Sequence, residues 1–217
     1  MLILWNGISD MPKIKETTVF AYDELGEDAK ERARAWYLEG YEPFDDPSFE
    51  DFERICEILG VTLRTAPVKL MGGGTRYDPV IYYSVSWSQG DGAAFEGSYS
   101  YTKGSVVKIK EYAPEDKELH RIAADLAEIQ RRNFYQLYAR IESGRYFNMS
   151  VDVCRQSSTY QEMSVDAEEA VTQAMRDLAH WLYVYLRTEY EWQTSEEQVA
   201  ENIRCNEYEF TEEGRIA

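Results

Sequence analysis

His120 and His180 are the chain's two histidines, and a metal centre or a proton-relay site would have to be built around them. Neither has a second histidine or a cysteine at ligand spacing, and neither falls in the HExxH pattern that sets two imidazoles on one helical face. Each therefore reads as a structural or solvent-facing side chain, because a site needs several convergent groups. Cys56, Cys154 and Cys205 are odd in number and far apart. They match neither a disulfide framework nor a Cys-x-x-Cys knuckle, and they point to a reducing compartment. A Cys154–His120 nucleophile and base can be written down. Any thiol and imidazole can be paired on paper in that way, so nothing in the spacing supports it.

Gly72, Gly73 and Gly74 invite a phosphate-loop reading, but no Lys-Ser/Thr pair follows them and they open no helix. They read as part of a flexible loop. Asp91, set between glycines with Glu96 beyond, raises calcium. The loop is too short to supply six to eight oxygens, so a tight turn accounts for it. No catalytic residue, cofactor or metal is predicted.

The acidic clusters are the most distinctive feature. Glu42, Asp45, Asp46, Glu50, Asp51, Glu53 and Glu57 have Arg54 as their one basic neighbour in sequence, and the run from Glu189 to Glu213 has Arg204. The bland account is a pair of solvated helix faces. The sharper account is that carboxylates along helices reproduce the charge spacing of duplex phosphates and fill a nucleic-acid-binding groove on a partner. Aromatic residues interleave with both clusters, which suits an interface with an apolar centre and a charged rim, and equally a helix with one buried side. The contact residues predicted are Phe44, Asp45, Asp46, Glu50, Asp51 and Glu53 in the first cluster. In the second they are Glu189, Glu191, Trp192, Glu196, Glu197 and Glu201. Phe44 and Trp192 are the anchors.

The whole chain has the same bias: 40 acidic against 23 basic residues, for a net charge of −17. That field repels nucleic acid, and the small basic groups Lys103, Lys108, Lys110 and Arg131, Arg132 do not overturn it. The expected partner is a protein with a basic surface, with no direct nucleic acid and no membrane. The oligomeric state is left open, a dimer included. Apolar residues make up 44% and aromatics 14%, enough for a real core. No run approaches the roughly 18 apolar residues of a membrane span, and MLILWNGISDMP lacks the basic region of a secretory signal. The expected location is the cytoplasm of a bacterial cell.

The elements that must position these residues follow from periodicity. TTVFAY reads as a short strand, Glu27–Glu39 as a helix ended by Gly40, and Ser48 as the cap of a helix through Leu59. Val61–Thr65 reads as a strand, and MGGGTRYDP as a mobile loop. PVIYYSVSW and AAFEGSYSY are the best strand pair, with Ile81, Tyr83, Val85 and Trp87 on one face. SVVKIKEY reads as a short helix, and Pro114 as first-turn residue of the next, which runs to about Asn133. FYQLYARIE and RYFNMSVDVC are strands joined across Ser143–Gly144. Asp166 with Glu169 starts the longest helix, Thr194 with Glu197 a last short one, and EYEF closes as a strand. Helices in blocks and strands in hairpins predict an α+β fold: an antiparallel sheet built from hairpins, with helices packed on one face. Residues 1–16 read as a flexible N-terminal extension, with Met11 as an alternative start, and 17–217 as a single domain.

FAYDELGEDAKERARAWY, WSQGDGAAFEGSYSY and NEYEFTEEGR together resemble a group of proteins from tailed bacteriophages and prophages. Some of that group are labelled antitoxins of toxin–antitoxin systems. The likeness covers most of the chain from about Thr17 onward, WSQGDG being its most distinctive part, and it carries over no catalytic residues. It implies a setting: an acidic phage protein that binds and inhibits a host protein or defence complex, of the anti-CRISPR or anti-restriction type, by nucleic-acid mimicry. A second expectation is an antitoxin that neutralises a basic toxin. A third is an enzyme using tyrosine and carboxylate side chains, which calls for a concave pocket holding carboxylates with strongly shifted pKa values.

Overall fold

The structure is a computed structural model that describes residues 17–41, 47–85 and 90–217. In chain order its elements are β1 (Phe20–Ala21), α1 (Glu27–Glu39), α2 (Pro47–Leu59), β2 (Val61–Leu63), β3 (Thr65–Lys69), β4 (Thr75–Pro79), β5 (Ile81–Ser84), β6 (Gly92–Phe95), β7 (Gly97–Ser100), α3 (Ser105–Tyr112), α4 (Lys117–Arg132), β8 (Leu137–Ser143), β9 (Met149–Arg155), α5 (Ala167–Gln193), α6 (Glu196–Cys205) and β10 (Glu209–Phe210). The strand ladders are antiparallel, and the fold is α+β. Among the described residues no helix is long and apolar enough to cross a membrane. The chain forms two compact units, one from Pro43 to Glu191 and one that joins residues up to Glu42 with Trp192–Ala217.

The larger unit is organised by a four-stranded sheet in the order β2-β7-β8-β9. Leu137, Ala139 and Ile141 of β8 and Met149, Val151 and Val153 of β9 are buried, while Arg140, Glu142, Ser150, Asp152 and Cys154 between them are exposed. That alternation marks a sheet with one covered and one open face. The covered face shares one apolar cluster with the helices: Phe52, Ile55 and Leu59 of α2, Leu119, Ile122, Leu126 and Ile129 of α4, and Leu178, Leu182 and Leu186 of α5. Gly60 ends α2 at φ +89°, and a Cβ there would stand 2.1 Å from the Ser100 carbonyl oxygen. Only glycine permits both the turn and the approach of α2 to β7.

Several boundaries differ from the sequence reading. The Val61–Thr65 strand splits at Arg64, whose N–H donates to the Glu96 carbonyl, so β2 joins the large sheet and β3 pairs with β4. MGGGTRYDP is not a loop: the glycines turn a hairpin, and Thr75–Pro79 is its second strand. Pro114 lies in the connection before α4. The helix starts at Lys117 because the Asp116 carboxylate caps it, accepting from the Leu119 N–H at 2.9 Å, and also accepts from Trp181 Nε1 at 2.7 Å. Helix α2 begins at Pro47, ahead of the expected cap at Ser48. Trp87 lies outside the described residues.

In the smaller unit Ala29 and Ala33 of α1 meet Val199, Ala200 and Ile203 of α6 and Phe210 of β10. Trp36 stands edge-on to Tyr208 and Phe210, with centroids 5.2 and 5.7 Å away. The TTVFAY strand shrinks to Phe20–Ala21, paired with Phe210 and Glu209 of the EYEF strand. Ser195 caps α6 through the Gln198 N–H, one residue after the expected Thr194.

Candidate functional site

Glu50, Glu53 and Glu57 recur on α2 at i, i+3 and i+7, which sets them along one exposed face of the helix. Beside that row, β4 and β5 form the far wall of a groove of about 410 Å³. Phe49 of α2 and Ile81 and Tyr83 of β5 give it apolar surface, and the Phe49 and Tyr83 rings lie 5.5 Å apart. Tyr77, 68% exposed, stands on β4 at its rim, and Asp78 follows it, in contact with Arg76 at 2.6 Å. Glu57 is relieved by Arg54 at 2.7 Å. The Glu53 carboxyl is pushed above its ordinary pKa, first by burial and then by the charges of Glu50, Glu57 and Asp78. Asp51, on the other flank of α2, accepts a hydrogen bond from the Tyr112 hydroxyl.

A trough with aromatic walls and a carboxylate rim suits a cation on an apolar stem, the chemistry of lysine and arginine side chains. The shift of Glu53 also has a consequence for the free protein. A carboxyl with a raised pKa in the folded state contributes stability below its unfolded pKa, and that contribution is lost as pH rises through the folded value. Glu53→Gln is therefore expected to stabilise the free protein at pH 7, by about a few tenths of a kcal/mol because the side chain is largely exposed. The gain should vanish near pH 3. Paired urea titrations at the two pH values measure it.

Of the other residues predicted to bind, Phe44, Asp45 and Asp46 lie outside the described residues. Glu189 and Glu191 are on α5 in the larger unit, and Glu191 accepts from Arg187 at 2.9 Å. Trp192, Glu196, Glu197 and Glu201 belong to the smaller unit. There Trp192 is 56% exposed, Arg34 lies 3.6 Å from Glu196, and Arg204 lies 3.3 Å from Glu201. The second cluster is thus relieved by Arg34 and Arg187 as well as Arg204: the fold brings Arg34 to Glu196, and Arg187 sits one helical turn before Glu191. The groove partners Phe49, Tyr77, Asp78, Ile81 and Tyr83 were not among the predicted contacts. No local pattern marks them, because β4 and β5 show no alternation of buried and open residues.

The remaining chemical candidates are tied into the fold. His120 Nε2 donates to the Ala113 carbonyl at 2.8 Å, and His180 is exposed on α5. Cys154 faces outward from β9, away from the helices, so the Cys154–His120 pair is not assembled. Burial pushes the Cys56 thiol well above its ordinary pKa. Asp91 accepts from the Ser84 hydroxyl at 2.8 Å. Among the described residues no group of three His, Cys, Asp or Glu side chains could hold a metal ion.

No curated protein and no solved structure matches the chain. A family model described as a domain of unknown function matches residues 44–196, a span that nearly coincides with the larger unit. The groove on α2 lies inside it, whereas most of the C-terminal acidic residues lie beyond it. The chain belongs to that family, DUF8835.

Proposed function

We propose that this chain is a phage-encoded acidic protein that binds the basic surface of a host protein or defence complex in the bacterial cytoplasm and inhibits it. It would be of the anti-CRISPR or anti-restriction type, its carboxylate rows standing where nucleic-acid phosphates would. The observation that carries the reading is the row Glu50, Glu53 and Glu57 with Asp78 beside it, along a groove with aromatic walls. Like charges one helical turn apart weaken a fold, so a row of them held against apolar surface has its use outside the folded monomer. A partner's cations would relieve that repulsion. The phage setting rests on the resemblance carried by FAYDELGEDAKERARAWY, WSQGDGAAFEGSYSY and NEYEFTEEGR.

The test is capture from a bacterial host lysate at low and high salt, followed by competition on the purified partner. A nucleic-acid-binding partner is expected, captured at low salt and released at high salt, and the protein should displace its nucleic acid. The triple variant Glu50→Lys, Glu53→Lys, Glu57→Lys is expected to weaken binding by about tenfold or more and to flatten the salt dependence. The same reversals at Glu196, Glu197 and Glu201 measure the second cluster. If the α2 variant binds as tightly as the wild type, the row on α2 is only a solvated face. If nucleic acid and protein occupy the partner together, mimicry is wrong.

A further inference from the structure

Strands β4 and β5 follow one another with only Val80 between them, and both bond through the same edge. The Val80 N–H donates to the Arg64 carbonyl at 2.7 Å, and its carbonyl accepts from the Glu96 N–H at 3.1 Å. At the hairpin end the Leu70 N–H donates to the Gly74 carbonyl at 3.0 Å. Bonded and non-bonded pairs alternate along an antiparallel ladder. Arg76 and Asp78 therefore bond to β3, and Tyr82 to β6, while Tyr77, Pro79 and Ile81 turn their main-chain groups to the opposite edge. Among the described residues nothing there pairs with the N–H and carbonyl of Tyr77 and Ile81 or with the Pro79 carbonyl.

That edge is a wall of the groove beside α2. Arg76 and Asp78 point to one face of the strand and Tyr77 and Pro79 to the other, yet all four line the groove. The groove thus opens onto the edge of the strand and not onto one of its faces. Free edges are ordinarily blunted by proline or lysine. The outer edge of β3 is blunted in this way, by Pro67 at its centre and Lys69 beside it. The β4–β5 edge has Pro79 alone, with the Tyr77 and Ile81 N–H groups open on either side of it. On the facing wall stand Glu50 and Glu53, and among the described residues neither has a cation within ion-pair distance.

We propose that the groove takes up a lysine- or arginine-rich segment of the partner in extended form, as a strand added to β4 and β5. The inference rests on the reading that the α2 row faces a basic partner, and it names how that partner's chain is held. Main-chain bonds to Tyr77, Pro79 and Ile81 fix the segment, because an extended backbone supplies donors and acceptors in that alternation. Its alternate side chains, about 6.7 Å apart, turn toward α2. Their apolar stems lie on Phe49 and Tyr83, and their charges reach Glu50 and Glu53, about 4.5 Å apart along the helix axis. An acidic segment would meet both carboxylates and Asp78 as well, so charge selects the occupant.

A peptide of alternating lysine and threonine tests this on the full chain, by calorimetry and by amide hydrogen exchange. It should bind, and the Tyr77 and Ile81 amides should exchange about tenfold or more slowly in the complex. Tyr82, already bonded to β6, should keep its rate. Two N-methylated versions, one at the lysine amides and one at the threonine amides, isolate the ladder. The version methylated on the edge that faces β4 should lose about tenfold or more in affinity, and the other little. Glu50→Gln with Glu53→Gln should weaken binding by about tenfold and flatten its salt dependence. If the peptide binds but slows neither amide, or if both methylated versions bind as the parent does, strand addition is wrong and the basic-surface reading stands. If a glutamate–threonine peptide binds equally well and slows the same amides, the basic occupant is overturned together with the reading it rests on. No binding of the lysine peptide overturns the inference alone, since capture from lysate tests the reading separately.

Discussion

Gly214→Ala is expected to destabilise the smaller unit by about 3 kcal/mol, the sum of a left-handed backbone that alanine disfavours and an overlap that cannot relax. Gly214 is buried at φ +79°, and a Cβ there would stand 2.1 Å from the Ala29 carbonyl oxygen and 2.8 Å from its carbon. Both atoms belong to the backbone of α1, so no rotamer change can make room. The turn that holds Gly214 is closed by its own N–H, which donates to the Thr211 carbonyl at 2.8 Å, and is fastened to α1 by Arg32, which donates to the Glu213 carbonyl at 2.6 Å. Moving the turn would therefore break further contacts. The measurement is hydrogen exchange of the α1 and α6 amides, which should lose protection in the variant. Gly26→Ala serves as the control, since nothing lies within 4 Å of a Cβ at that position. If the Gly214 variant keeps wild-type protection, the close approach of the turn to α1 is wrong.

The elements most legible in the sequence were those whose signals are local. Helix α1 runs from Glu27 to Glu39 as its acidic first turn and Gly40 suggest, and α3 fills SVVKIKEY from end to end. Strands β8 and β9 were legible because one face of the sheet is covered, so Leu137, Ala139 and Ile141 alternate cleanly with polar residues. The β3–β4 hairpin was illegible for the opposite reason. Most of its residues are exposed on both faces, so no period-2 pattern forms, and the three glycines that make its turn read as a loop. The candidate site divides along the same line. Glu50 and Glu53 stand out as charges on a helix, whereas Asp78 and Tyr77 join them only because β4 exists.

Gln130 shows how much a single buried amide can contribute, and Gln130→Leu is expected to cost the larger unit about 3 kcal/mol. Strand β7 ends at Ser100, opposite Tyr138, so Leu137 has no strand neighbour on that side. The fully buried Gln130 takes that place: its Oε1 accepts from the Leu137 N–H at 3.1 Å, and its Nε2 donates to the Leu137 carbonyl at 2.8 Å. Nε2 also donates to the Tyr99 hydroxyl at 3.3 Å, within a core where burial pushes that phenol up to about 12. Leucine fills the volume but leaves a buried N–H and a buried carbonyl unpaired, and each such group costs about 1–3 kcal/mol. The urea midpoint should fall with the slope unchanged. Gln130→Glu separates the hydrogen bonds from the packing. As a carboxylate it keeps the acceptor for the Leu137 N–H but faces the Leu137 carbonyl with negative charge, and as the neutral acid it restores a donor. Its folded pKa must then lie above the unfolded value, so its stability relative to Gln130→Leu should be highest below the unfolded pKa of about 4.3 and fall as pH rises through the folded one. A difference between the two variants that does not change with pH would mean that Gln130 acts by its volume and not as the missing strand neighbour of Leu137.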